Sequence, residues 1–445
     1  MPRNIFRTYF NGFYETDILC RLIDCYPQSC VRNSWRRSNH APKVIPVINQ
    51  VRHPIWITTA KRPTARVFAI LFGIESMARA IITSVVPIQT YDLMQSERGV
   101  SILYTCMSLL GLISTLSIPL LIVRIPRRWV YTAGVASLML GCCAFALDTL
   151  PAQGAGLFLR TFGAGTLSIT LSLYIMDHIK KGELVRAESV RMATATLAWT
   201  GGPFLGVFLY TRVGMIAPFL LSIGFSLLLL TLFWYFRLSD NPALQKGPSR
   251  PANPIANVRR FVVQPRLRLA WLIAFSRSCY WSTFFVYGPI LMVATGQGKL
   301  AGGLLVSLGN LFLLGSILWG KVGMAKGLTR TISGVFVLLA AALIGAGLAG
   351  EAFPMMAAIM LLVGAFFCVA IDTLGSATFI RAVHPHERAQ MTAVYRTYLD
   401  FSEILPAFFY SIILSFFQLG AIFIALACLM IFTAIFVWRY LPRGL

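Results

Sequence analysis

The sequence predicts an all-α integral membrane protein of about twelve transmembrane helices, arranged as two six-helix pseudo-repeat bundles. Three observations carry that prediction. The 445 residues are 57% hydrophobic and 12% charged, with a mean hydropathy of +0.72, whereas a soluble domain carries about 25% charged residues. The apolar runs are continuous over the ~20 residues a helix needs to cross a bilayer, not alternating over ~10 as in a β-barrel. Finally, one long polar stretch, residues 238–268, divides the apolar runs six and six.

Taken in order, residues 1–63 are polar and basic without a run of spanning length, and read as a cytoplasmic leader without fixed structure. Spans are expected near 66–92, 100–123, 129–149, 155–177, 190–211 and 215–237, forming the first bundle (64–237). Residues 238–268 are Pro-rich and basic and read as a solvated cytoplasmic linker. Spans near 269–294, 301–322, 331–349, 354–380, 391–416 and 419–440 form the second bundle (269–445). Pro87, Arg128 and Arg186 recur as Pro289, Arg330 and Arg388 at an offset of 202 residues, and Pro203 as Pro406 at 203. Parallel repeats of this kind place a transport site near the bilayer midplane, between the halves.

The net charge of +23 is a topology signal, not a nucleic-acid signal. Threading the spans alternately from a cytoplasmic N-terminus puts Arg124, Arg127, Arg128, Lys180, Lys181, Arg186, Arg191, Lys321, Lys326, Arg330, Arg381, Arg388, Arg439 and Arg443 on one side. Only Arg98, Arg212 and Lys299 fall opposite, so both termini are expected in the cytoplasm. Compact loops without sorting signals point to a bacterial inner membrane. Cys106, Cys142, Cys143, Cys279, Cys368 and Cys428 lie in apolar spans as small packing residues. Cys20, Cys25 and Cys30 lie in the leader without metal-site spacing. No metal or cofactor is expected. The H-E-x-x-H, G-x-S-x-G and phosphate-loop patterns are missing and no histidine sits inside a span, which argues against an enzyme or an ATP-driven pump. His384 and His386, beside Glu387, belong to an ordinary solvated loop.

Ionisable residues inside spans are expensive and normally face a protein interior or a watery cavity. They are Glu75 and Arg79 in the first span, Arg160 in the fourth, Arg277 in the seventh, Asp372 in the tenth, and Arg396, Asp400 and Glu403 in the eleventh. The third, sixth, ninth and twelfth spans carry none away from their ends, as lipid-facing helices around a central polar cavity would. Glu75 and Arg79 are four residues apart and share a face, as do Arg396, Asp400 and Glu403. Two carboxylates on one desolvated face suit a proton carrier. Glu75, Asp400 and Glu403 are therefore the expected proton-coupling groups. Arg79 and Arg277, with Tyr280, Trp281 and Tyr398 nearby, are the expected substrate contacts. Asp372 and Arg396 are expected to serve in structural ion pairs.

Short motifs add a resemblance to the major facilitator superfamily over roughly residues 64–442. Arg160-Thr-Phe-Gly163-Ala-Gly165 is similar to that family's fourth-span Arg-and-Gly motif, with its first Gly one residue early. Gly202-Pro203-Phe-Leu-Gly206 resembles the fifth-span signature of its proton-driven exporters, with Val207 in place of the last Gly. Arg124-Ile-Pro-Arg127-Arg128 and Trp319-Gly320-Lys-Val-Gly323-Met-Ala-Lys326-Gly327 sit where its gating loops belong, and keep only the basic end of that motif. The resemblance implies a secondary transporter that alternates access by rocking two bundles, with Arg160 tied to proton coupling and Gly202, Pro203 and Gly206 as a helix-packing motif. The leading expectation is a monomeric carrier that exports a small amphipathic molecule against protons. The alternatives are a proton-coupled carrier of an organic anion held by Arg79 and Arg277, and a non-transporting sensor or scaffold. Pairing of both arginines with carboxylates would weaken the anion reading.

Overall fold

A computed structural model describes residues 65–178, 184–236, 254–383 and 388–441. The leader, Cys20, Cys25, Cys30, Lys180, Lys181, the first part of the linker, His384, His386 and Glu387 lie outside the described residues.

The described chain is helical throughout. The first half comprises α1 (Ala65–Thr83), α2 (Val85–Met94), α3 (Glu97–Arg124), α4 (Arg127–Ala146), α5 (Leu150–His178), α6 (Leu184–Arg212) and α7 (Ala217–Tyr235). A short helix α8 (Pro254–Val263) precedes the second half: α9 (Pro265–Ala294), α10 (Lys299–Leu311), α11 (Ser316–Lys326), α12 (Leu328–Ala349), α13 (Pro354–Ala382), α14 (Arg388–Tyr395), α15 (Thr397–Ile413) and α16 (Gly420–Tyr440). Among the described residues, nine helical stretches are long and apolar enough to cross a bilayer. The three expected spans outside that set are α5, α9 and the α14–α15 pair, which carry Arg160, Arg277, and Arg396 with Asp400 and Glu403. Their lower apolarity follows from the polar residues they hold.

Local chemistry explains the helix ends. Ser96 caps α3 by accepting the Gly99 N–H at 3.2 Å. Prolines open α9 and α13 in the first turn, where a missing N–H costs nothing. Gly327, at φ +84°, makes the one-residue corner between α11 and α12.

The helices show four details that hydropathy does not specify. The first span, Arg66–Met94, breaks at Ser84, because Pro87 lacks the N–H that would bond the Thr83 carbonyl one turn back. The eighth span is interrupted by a 3-10 turn at Phe312–Gly315. The eleventh span breaks at Arg396, where the Leu399 N–H bonds the Arg396 carbonyl at 3.0 Å in a tightened turn. The end of the stretch read as a solvated linker is helical in α8.

Each half buries its own core. Phe68, Leu71, Tyr131, Val135, Leu171 and Phe233 form one cluster in the first half. A larger cluster in the second half includes Tyr280, Phe284, Phe336, Leu339, Phe423 and Met430. The halves meet through α6 on α10, α3 on α15 and α2 on α9, while α4 packs with α5 and α7, and α12 with α13 and α16, inside their own halves. The four spans expected to face lipid, α4, α7, α12 and α16, thus pack within their own halves, while α3, α6 and α10, which also lack mid-span charges, line the seam between the halves.

Small residues set the closest approaches. A Cβ on Gly206 would lie 1.7 Å from the Ile81 carbonyl oxygen, and one on Gly202 would lie 2.5 Å from Ala80 Cβ, so α6 presses on the backbone of α1. On its other side α6 meets α10: the Phe204 N–H bonds Ser307 Oγ at 3.0 Å, and a Cβ on Gly303 would lie 2.9 Å from Val207 Cβ. The Gly-Pro motif therefore joins an intra-half seam to the seam between halves.

Candidate functional site

The charged residues sort into three environments. Glu75 is fully sealed (0% exposed) within α1. Its Oε1 accepts from Arg79 Nη1 at 3.3 Å, one helical turn away. Arg191 of α6 also acts on Glu75, and its guanidinium lies 4.2 Å from the centroid of the Phe72 ring, on the same helix as Glu75. Arg160, half-buried in α5, donates to Thr83 Oγ1 at 3.0 Å, at the break between α1 and α2. Thr83 in turn donates to the Arg79 carbonyl at 3.0 Å, so Arg79 and Arg160 are tied to the same helix end.

In the second half, Arg277 of α9 pairs with Asp372 of α13 through Nη1 and Oδ1. The other carboxylate oxygen accepts the Trp281 indole N–H at 2.9 Å. Arg277 also donates to Ser278 Oγ at 2.9 Å and to the Tyr398 hydroxyl at 3.3 Å. Tyr398 thus joins α15 to this knot, and Asp372 is doubly held. The partner of Asp372 is Arg277, whereas Arg396 lies exposed at the start of α15 and donates to Ser168 Oγ of the first half at 3.2 Å.

The third environment is the carboxylate face of α15. Asp400 is half-buried, and Glu403 is exposed on the side where the charges of Arg160 and Arg79 reach it from the first half. Among the described residues Glu403 makes no hydrogen bond or ion pair. Tyr104 of α3 lies within the fields of both Arg160 and Glu403. The charges of Arg160 and Arg79 in the first half thus act on Glu403 in the second, where α3 packs on α15.

Besides Arg396, which is expected in an ion pair and instead bonds Ser168, placement differs from expectation at two residues. Tyr280 is 1% exposed, and its hydroxyl donates to the Leu361 carbonyl at 2.6 Å, which makes it part of the second-half core. Arg277, expected to be available for substrate, is already bound by Asp372. Sequence reasoning missed Trp199 and Tyr104. Trp199 meets Phe285 across the halves at 5.6 Å between ring centroids, and Phe285 stacks on Trp281 at 5.5 Å. An aromatic path therefore runs from the first half to the Arg277–Asp372 pair. The signal was present as aromatics at i and i+4 in α9, but its partner in α6 is a lone Trp in an apolar helix.

At the end opposite the basic junctions, three further contacts join the halves. Lys299 Nζ bonds Asp92 Oδ2 at 2.6 Å and lies 5.1 Å from the Tyr210 ring centroid, while Ser101 and Tyr287 share a hydroxyl hydrogen bond of 2.7 Å. No group of His, Cys, Asp and Glu suited to a metal occurs among the described residues.

A sequence profile described as the Major Facilitator Superfamily matches residues 68–405. The chain belongs to this superfamily. Solved structures agree on the fold. A POT family transporter in complex with 5-aminolevulinic acid superposes with a TM-score of 0.69 at 13% identity, covering 85% of this chain and 96% of that one. A mutant of the nucleoside transporter NupG gives 0.67 at 12%, covering 85% and 100%, and a D-xylose-proton symporter gives 0.65 at 14%, covering 85% and 97%. No individually curated protein matches by sequence. The chain is therefore a multi-pass membrane protein with the superfamily's transporter fold, and identities this low show the fold alone.

Proposed function

We propose that this superfamily member is a proton-coupled secondary transporter that exports a small amphipathic molecule by alternating access. The observation that carries the reading is the unpaired Glu403 carboxylate of the second half, set against Arg160 and Arg79 of the first. Protonating Glu403 removes its attraction to those arginines, so a proton biases how the halves associate, which is what coupling requires. Asp400, one turn back on α15, shares this role. Glu75 is sealed against Arg79 and serves to hold that arginine in place.

The substrate class follows from which charges are already spent. Arg79 is bound by Glu75 and Arg277 by Asp372. An organic anion would have to break a largely buried ion pair to reach either guanidinium, so the anion reading is the less supported one. The aromatic path of Trp199, Phe285 and Trp281, with Tyr398, instead offers flat apolar surface beside hydrogen-bonding groups, which suits an amphipathic molecule. The Gly202-Pro203 motif in the α6 seam is the basis for the direction of transport. The basic helix junctions favour both termini in the cytoplasm of a bacterial inner membrane, with the protein acting as a monomer.

The test has two steps. A thermal-shift screen of the purified chain against amphipathic aromatics, organic anions and sugars is expected to select the first group. A ligand at a hundredfold excess over its Kd stabilises by about 2.7 kcal/mol. The selected compound is then assayed in proteoliposomes under a pH gradient. Selective stabilisation by anions, lost in Arg79→Ala or Arg277→Ala, overturns the substrate reading. Transport indifferent to the pH gradient overturns the coupling.

A further inference from the structure

We infer that α8 and the first turn of α9 form a binding surface for anionic phospholipid headgroups in the leaflet that meets the basic end of the protein. This surface is independent of the transport site and of the reading given to it.

The argument starts from length and position. Ten residues make a helix about 15 Å long, half of what is needed to cross a hydrocarbon core of about 30 Å. A single residue, Gln264, separates α8 (Pro254–Val263) from α9, which traverses the second half. Gln264 is extended (φ −86°, ψ 110°) and Pro265 restarts the helix, so the chain turns a corner there. A helix joined through one residue to the end of a membrane-crossing helix lies at the membrane surface.

The side chains fit that location. Phe261 is 3% exposed and anchors α8 on Leu267, Ala270, Phe379, Val383 and Met391. Beside that anchor, Val258 and Val262, four residues apart, are 47% and 52% exposed, giving an apolar stripe that the protein leaves uncovered. Arg259, Arg266 and Arg268 are exposed, and residues 254–268 contain no Asp or Glu. An uncovered valine stripe bordered by guanidinium groups is the composition of a helix that sinks its apolar face to the acyl boundary and sets its charges among the headgroups. The exposed Arg259, Arg266 and Arg268, in a segment that itself carries no acidic residue, select an anionic surface over a zwitterionic one, and guanidinium binds phosphate oxygens in a bidentate fork.

The test uses the full chain in detergent, titrated with phosphatidylglycerol or phosphatidylcholine, with bound lipid counted by native mass spectrometry. Each basic residue at a membrane surface is worth about fivefold in affinity. Wild type is expected to prefer phosphatidylglycerol by tenfold or more, on the order of two such contributions. In Arg259→Gln/Arg266→Gln/Arg268→Gln the preference should vanish, while the charge-keeping lysine triple and Arg127→Gln/Arg128→Gln, at another basic junction, should retain it. Should the glutamine triple fail to fold, the wild-type preference must still fall with rising salt. Equal binding of the two lipids by wild type, or an undiminished preference in the folded glutamine triple or at high salt, overturns the inference. So does loss of the preference when inorganic phosphate replaces chloride at equal ionic strength, which would indicate a free-anion site.

Discussion

Replacing Asp372 with Asn isolates the energetics of the second-half charge knot. The pair with Arg277 is mostly buried, with side-chain exposures of 18% and 21%. Breaking a buried pair by removing one partner costs about 3–5 kcal/mol, because the other charge is left uncompensated. Arg277 retains Ser278 and Tyr398 as acceptors, so the lower end, about 3 kcal/mol, is expected for Asp372→Asn. Arg277→Gln should cost a similar amount. The double variant Arg277→Gln/Asp372→Asn leaves no buried charge and keeps an acceptor for the Trp281 indole, so it should lose only about 1 kcal/mol, one hydrogen bond's worth. The implied coupling is several kcal/mol, far above the additivity error of about 0.5 kcal/mol. Thermal unfolding of the four purified proteins in one detergent, followed by tryptophan fluorescence, measures it. If the two single losses simply add in the double variant, Arg277 and Asp372 do not stabilise each other and the geometry has been misread.

Three further outcomes are expected. Gly206→Val places branched carbon where even a Cβ would be 1.7 Å from the Ile81 carbonyl; α6 must separate from α1, and a loss above the usual overpacking range of about 1–3 kcal/mol should appear in the unfolding temperature, whereas unchanged stability would refute the close approach. Asp92→Asn removes a half-exposed ion pair between the halves, worth about 0.5 kcal/mol after solvent screening; it should raise thiol-reagent labelling of a cysteine placed at Ser101, and the exchange Asp92→Lys/Lys299→Asp should restore protection, while a latch that plays no part would leave labelling unchanged in all variants. Glu403→Gln fixes the neutral form, so proteoliposomes should lose pH-driven accumulation at least tenfold yet keep substrate exchange; full pH-driven transport would show that the proton is carried elsewhere.

The sequence was most readable where physics forbids alternatives. A charge inside a hydrocarbon-length run has few places to go, so Glu75, Arg79, Arg160, Arg277 and Glu403 announce an interior by their position in the chain alone, whereas lack of charge says less: α3, α6 and α10 carry none at mid-span and still meet the other half. Partner choice was far less readable. Asp372 lies 95 residues from Arg277, and only packing of α13 on α9 brings them together; spacing along one helix offered Asp372 no partner at all. Tyr280 shows the same limit: aromatic residues occur on several sides of α9, so periodicity does not say which of them faces a core and which faces the other half. The break at Ser84 was within reach, since Pro87 names the carbonyl it leaves unbonded. Helix α8 was hidden by the prolines around it, although its valines at i and i+4 beside arginines carry a surface-helix pattern.

The two interior ion pairs have a consequence for the response to voltage. Glu75–Arg79 lies within one helix, and Arg277–Asp372 within one half, so rocking the halves carries each pair as a neutral unit. Moving one elementary charge through the full field is worth about 2.3 kcal/mol per 100 mV, and a neutral unit feels almost none of this. What remains sensitive to the field is the charge state of the α15 carboxylates against the arginines opposite. On the proposed coupling, the current per transport cycle is set by the proton and the substrate, and a current measured with both Glu403 and Asp400 neutralised should report the substrate's charge alone.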